Sequence, residues 1–191
     1  MKKLLAKLEH LVGSELEPFH FANTFVREKT TGPERLRIGP RGGHRSLMEM
    51  LAACAEPPHK LLYLLHTTRT DASLGRYESP WLEPAELKAF LSRFGDFLAQ
   101  DSRHDLWVLG AGTKGTVVWD RHDMMFAYGP LDRYIHVLES GGFREGWPTL
   151  PDPHVHHYHA EWDDAEREML AYFQWRRTDL RPEDVQIRME P

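Results

Sequence analysis

The strongest constraint in this chain is a change of apolar period between residues 61 and 138. The run 61–67 opens with Leu61-Leu62-Tyr63-Leu64-Leu65, a continuous apolar stretch that reads as a buried strand. Leu87, Phe90, Leu91, Phe94 and Leu98 then recur at helical spacing behind Glu83-Pro84, where proline suits a first turn. Residues 105–109 return to a strand pattern. Residues 116–119 and 124–128 flank Asp120-Arg121-His122-Asp123 as a hairpin with a polar loop. Leu131, Tyr134, Ile135 and Leu138 form another amphipathic helix, stopped by Gly141-Gly142. One helix joins the first two strands, and the last three strands run in sequence. That order predicts an α+β fold: a mainly antiparallel sheet of about four strands (61–67, 105–109, 116–119, 124–128) with amphipathic helices packed on it.

The flanks are less regular. Leu4, Leu5, Leu8, Leu11 and Val12 fall on one helical stripe, so the N-terminus is expected to pack as a helix. Lys7, Glu9 and His10 break the apolar stretch that a signal peptide needs. Residues 30–43 are punctuated like a long loop. Ser46-Leu47-Met48-Glu49 reads as a capping box ahead of Leu47, Met50, Leu51 and Cys54, and Pro57-Pro58 end that helix. After a His-rich loop, Asp163-Asp164 caps a last helix carrying Ala165, Met169 and Phe173 to about Trp175, and 184–189 reads as an edge strand. The expectation is a single domain over 1–191: a helical and irregular part to residue 60, a core over 61–143, and a loop, helix and tail over 144–191.

Composition excludes several classes. Lys and Arg number 24 against 29 Asp and Glu, a net charge of −5, so the chain lacks the broad basic face of a nucleic-acid binder. Charge is uneven: residues 27–45 carry six basic and two acidic groups (6 − 2 = +4), and 161–191 carry five basic and nine acidic (5 − 9 = −4). No stretch reaches the roughly 18 apolar residues of a membrane span. A single Cys gives no disulfide framework and no Cys-based zinc site, and suits a reducing, cytoplasmic compartment. Cys54 itself lies on an apolar stripe and reads as a core residue. Twelve His stand out, because protonating all of them would take the charge from −5 to −5 + 12 = +7.

Gly110-Ala111-Gly112-Thr113-Lys114-Gly115 matches G-x-G-x-x-G, but strand-like Thr116-Val117-Val118-Trp119 follows where a dinucleotide site needs a helix. His154-Val155-His156-His157-Tyr158-His159 is the densest chemical feature. Alternate residues of an extended segment share a face, so His154 and His156 could hold one ion, with His159 as a further ligand. The run resembles the metallo-β-lactamase motif H-x-H-x-D-H, with Tyr158 at the Asp position and 191 − 159 = 32 residues left for the later ligands of that fold. With Glu161 as H-x-H-x4-E it resembles the first cupin motif, without its flanking glycines. The alternative is a loop of His rings packed with Trp147, Tyr158 and Trp162. His104-Asp105 and His122-Asp123 resemble the HD pairs of HD-type phosphohydrolases, yet they fall at a strand start and in a hairpin loop.

Two further polar sets remain. Arg41, Arg45 and Ser46 open a capped helix where an anion could sit, or form an ordinary basic loop. His66 and Arg69 leave the end of the first strand with Arg76 close behind, as base and anion clamp or as a hydrogen-bonded loop. No complete catalytic motif is present. Small size, acidity, and many aromatics and arginines point to a soluble, bacterial-type interaction or regulatory module, an immunity-like protein being one example, with a protein partner. The rival is a metal- or anion-dependent enzyme using the His154–His159 run, with zinc as the metal that would fit, or the His66/Arg69 loop. Oligomeric state is left open.

Overall fold

The computed structural model describes residues 5–184. In chain order it holds β1 (Leu8–Val12), β2 (Glu15–Pro18), β3 (Thr24–Glu28), β4 (Arg35–Gly39), α1 (His44–Cys54), β5 (His59–Leu65) and β6 (Gly75–Leu82). Next come α2 (Pro84–Gln100), β7 (His104–Gly110), β8 (Thr116–Trp119), β9 (Met125–Tyr128), α3 (Leu131–Ser140), β10 (Arg144–Glu145), β11 (His154–His156), α4 (Asp163–Leu170) and β12 (Arg176–Thr178). The fold is α+β. Its main sheet has nine strands where about four were expected, in the order β10-β3-β4-β9-β8-β7-β5-β6-β12. Only β10 and β3 pair in parallel. A second sheet, β11-β1-β2, has three strands.

The expected centre is present with one correction, the strand β6 inserted between β5 and α2. Glu83 and Glu86 close a capping box at the head of α2, whose Leu87, Phe90, Leu91, Phe94 and Leu98 are buried. Alternation along β5 sends Leu61, Tyr63 and Leu65 into one core with residues of all four helices, while Leu62 and Leu64 are buried on the opposite face. That core includes Met48 and Leu51 of α1, Tyr134 and Leu138 of α3, and Met169 of α4. Burying each such side chain stabilises the fold by roughly 1.5–3 kcal/mol.

The additional strands correct the reading of the flanks. Residues 8–12 are a strand, not a helix. Gly13 at φ +63° and Ser14 turn β1 straight back into β2, and a two-residue Gly-Ser link is a hairpin signal in its own right. The supposed loop 30–43 contains β4, whose alternating Leu36 and Ile38 are fully buried. The segment carrying Arg76 is strand β6, paired with both β5 and β12. Ser79 Oγ accepts the Leu61 N–H at 2.9 Å where the β5–β6 register shifts, next to Pro80, which has no N–H to give. α1 begins at His44 behind Gly43 in the left-handed conformation, so Ser46 lies inside the helix and does not cap it. α4 ends at Leu170, five residues early, because Phe173 and Trp175 leave the helix to pack against Phe90 at 5.6 and 6.2 Å. Cys54 is half-buried against the core and contacts the Met50 carbonyl. Residue 184 ends a 3-10 turn, and 185–189 lie outside the described residues. No helix among the described residues is long and apolar enough to cross a membrane.

Candidate metal centre

Three histidines from two distant segments come together: His122 from the β8–β9 loop, and His154 and His156 from β11. One ring nitrogen of each lies within 4.8 Å of the others, and the ring centroids are 4.8, 5.1 and 5.4 Å apart. No other group of three or more His, Cys, Asp or Glu with this spacing occurs among the described residues.

The β8–β9 loop is built to aim His122. Asp120 is buried at the end of β8, and its Oδ1 accepts the backbone N–H groups of His122 and Met124, both at 2.9 Å. Its Oδ2 lies 3.0 Å from His122 Nδ1. Burial alone would raise the Asp120 carboxyl, but the bond from His122, its charge and the Met124 amide hold it below the ordinary aspartate value. An ionised carboxylate only accepts, so His122 Nδ1 is the donor of this pair, and in the neutral ring Nε2 is the nitrogen that holds the lone pair. Beneath the loop, the buried Lys7 ammonium donates to the carbonyls of Asp120 and Leu98, each at 3.0 Å.

Strand β11 supplies the other two rings because residues two apart share a face. It is held against β1 in register, His154 opposite His10 and His156 opposite Leu8. Leu8 is buried, so this face of the small sheet points inward. His154 Nδ1 lies 2.8 Å from the Pro151 carbonyl oxygen; a carbonyl only accepts, so His154 is also protonated on Nδ1 with Nε2 free. His156 Nδ1 is buried without a hydrogen-bond partner. Burial, followed by the charges of His122 and His154, pushes the His156 ring down to about 3, so it is neutral at any physiological pH.

Three imidazoles, two of them with Nδ1 held by a carboxylate and a carbonyl, are the ligand set of a tetrahedral ion with one open position. Zinc–nitrogen bonds of about 2.0–2.1 Å imply nitrogens ~3.3 Å apart, closer than the 4.8 Å within which these lie, so binding would draw the rings together. Of the residues singled out from the sequence, His154 and His156 join this set and His159 does not. The His159 ring stacks on His157 at 5.6 Å with Nε2 2.7 Å from the Ala6 carbonyl, and its N–H donates to Asp101. His157 pairs with Glu9 at 2.8 Å. In the sequence His122 stands only as half of an HD pair; Asp120 two residues earlier is a local sign that its ring is oriented, but not that it meets β11.

The strand-end set is spent on separate ion pairs. His66 Nε2 meets Asp105 Oδ2 at 2.8 Å, Arg69 approaches Asp163 at 3.5 Å, and Arg76 pairs with Asp184. At the head of α1, Arg41 and Ser46 are exposed, and the Arg45 side chain lies across Gly95 of α2, where an added methyl would meet its Cδ at 2.9 Å. A fourth polar cluster surrounds Arg103, which is fully buried among Asp101, Asp163 and Glu166. Comparison with known proteins finds no family model, no curated protein and no solved structure that matches the chain.

Proposed function

We propose that this protein binds a divalent transition-metal ion of the zinc class through His122, His154 and His156, with Asp120 as the residue that positions His122. The observation that carries this reading is the convergence of three imidazoles from two remote segments, with one ring nitrogen of each within 4.8 Å of the others. Nδ1 of His122 and Nδ1 of His154 each lie against an acceptor, which leaves Nε2 of both rings as the nitrogen available to a metal. Soft ligands are missing and imidazole suits zinc, copper, iron and nickel, with tetrahedral geometry favouring zinc. The fourth position is then open to water or to an oxygen of a ligand. A zinc-bound water would ionise near neutral pH, which is where an enzymatic role for the centre would start. Protein purified without a histidine tag and titrated with Zn²⁺ tests the reading. One equivalent should bind and raise the unfolding temperature, and none should bind to a His154→Ala, His156→Ala variant.

A second reading, a module that docks a protein partner, is supported by the outward face of the small sheet. Leu11 and Leu16 face each other across β1 and β2 at 54% and 50% exposure, and Val155 of β11 is exposed nearby. Exposed apolar side chains grouped in this way are typical of contact surfaces. The two readings are compatible, since a metal on β11 would fix the sheet that presents this face. Leu11→Glu with Leu16→Glu should abolish co-purification of a stoichiometric partner while leaving the zinc titration unchanged; a partner retained by that variant would remove this surface from the account.

A further inference from the structure

We infer that an open cleft beside the histidine cluster is a binding site for a phosphate group carried by a small molecule. The cleft encloses about 640 Å³ and is lined by His10, His20, Asn23, Arg41, Arg144 and Phe19, among others. That volume is within the range of small-molecule sites, roughly 300–1,000 Å³. No Asp or Glu lines it.

The arginines carry the argument. In this acidic chain twelve of the sixteen described arginines have a carboxylate partner, from Arg27 of β3 and the buried Arg103 to Arg176, Arg177 and Arg181 near the C-terminal end. Among the described residues only Arg41, Arg45, Arg121 and Arg144 make no ion pair, and two of those four line this one cleft. Two guanidinium groups left without a counter-ion in one concavity are suited to an oxyanion, which each can hold through paired N–H donors.

The backbone brings them together through one residue. Asn23 adopts a left-handed φ of +56°, a conformation that asparagine tolerates better than most side chains. Its side-chain Oδ1 accepts the Arg41 N–H at 2.6 Å, and its main-chain carbonyl accepts the Arg144 N–H at 3.0 Å. The segments after β2, after β4 and after α3 are therefore tied to one point. Asn23 spends its acceptors on this, which leaves its side-chain amide as a further donor. His10 and His20 add imidazole donors, and Phe19, edge-on to His10 at 5.4 Å, offers an apolar wall for the body of the ligand. So many donors exceed what one carboxylate can accept and match the three terminal oxygens of a phosphate monoester. His10 stands directly opposite His154 on the inward face of the small sheet, so the cleft and the histidine cluster share a wall.

The site stands on residues outside His122, His154 and His156, so its test uses metal-free full-length protein and does not depend on the metal reading. Inorganic phosphate and acetate are titrated separately by calorimetry at low ionic strength and pH 7. Phosphate should bind, at least tenfold more tightly than acetate. Arg41→Gln with Arg144→Gln should weaken phosphate binding at least tenfold, and His20→Gln should weaken it to a smaller extent. Arg45→Gln removes an equally unpaired charge outside the cleft and should change nothing. Absence of phosphate binding, equal binding of acetate, or an equal loss in Arg45→Gln would overturn the proposal. A zinc titration of the same samples reports on the histidine cluster separately.

Discussion

Two polar clusters in this molecule, one around Arg103 and one around His122, show how differently the same residue types are used. In the first, every donor is committed. Arg103 Nε and Nη2 donate to the two oxygens of Asp101 at 2.8 and 3.0 Å, Nη1 donates to Glu166 at 3.0 Å, and Asp163 and the His159 carbonyl take the remainder at 3.2 and 2.9 Å. Glu166 accepts the hydroxyls of Thr68 and Thr70 on its other oxygen. Burial alone would lower the Arg103 guanidinium, but Asp101 and Glu166 more than reverse that and hold it firmly charged. In the second cluster, only the outer nitrogens of His122 and His154 are committed, and His156 Nδ1 has no partner at all. A saturated cluster has nothing left to offer a ligand; a half-saturated one does. The first holds α4 and the loop after β5 to β7, and the second is where chemistry can enter.

The largest effect expected from this contrast is on folding. Arg103→Met leaves Asp101 and Glu166 buried without a counter-ion and should cost ~3–5 kcal/mol in urea unfolding, with zinc affinity unchanged in the protein that remains folded. The reverse pattern is expected for the ligands. His122→Ala or His154→Ala should cut zinc affinity on the order of 100-fold or more, by competition against a chromophoric chelator, and His154→Ala should leave the metal-free unfolding midpoint nearly unchanged, since its ring partners no buried carboxylate. Asp120→Asn keeps the size of the side chain but weakens its hold on His122 Nδ1, so a smaller loss of about 10–100-fold is expected in the same assay.

The pattern also explains why part of the molecule could be read in advance. α2, α3 and the β8–β9 hairpin are specified by local signals: Glu83-Pro84 with Glu86, Gly141, and the polar turn 120–123. Of the unforeseen strands, β10, β11 and β12 are two or three residues long and pair with strands about 100 or more residues away, whereas β1–β2, β3–β4 and β5–β6 pair with near neighbours and carried hairpin signals of their own. Leu8, Leu11 and Val12 satisfy a helical spacing, yet β1 pairs with β2 through the Gly13-Ser14 turn and, on its other side, with β11 about 145 residues on. The same limit applies to the site. His154 and His156 are legible because two residues in a strand share a face. His122 is not, since nothing local says that the β8–β9 loop meets β11. The strand-end trio His66, Arg69 and Arg76 looked convergent on polarity alone, and each has instead a carboxylate of its own.

The smallest effect concerns pH. His104 is buried between Tyr63 and Phe97, at 5.1 and 4.7 Å, and burial, with the charges of Lys7 and Arg103, keeps its ring well below the ordinary histidine value. Burial lowers His44 as well. Below about pH 6.5 the unfolded chain binds protons at these rings and the folded chain does not, so stability is fully present above that pH and declines as the solution is acidified through it. Urea midpoints of metal-free protein between pH 5 and 8 should show this slope, and His104→Phe should reduce it without abolishing it, because His44 and His156 are lowered in the same direction.

The central claim is that one ion is shared between the β8–β9 loop and β11, and His122 is its most direct test because it lies outside the His-rich run. Metal content of tag-free protein after equilibration with zinc and removal of excess should be one ion per chain, and close to none for His122→Ala. A His122→Ala protein that still retains one zinc ion held by the 154–159 run, or a wild-type protein that retains none, would contradict the account.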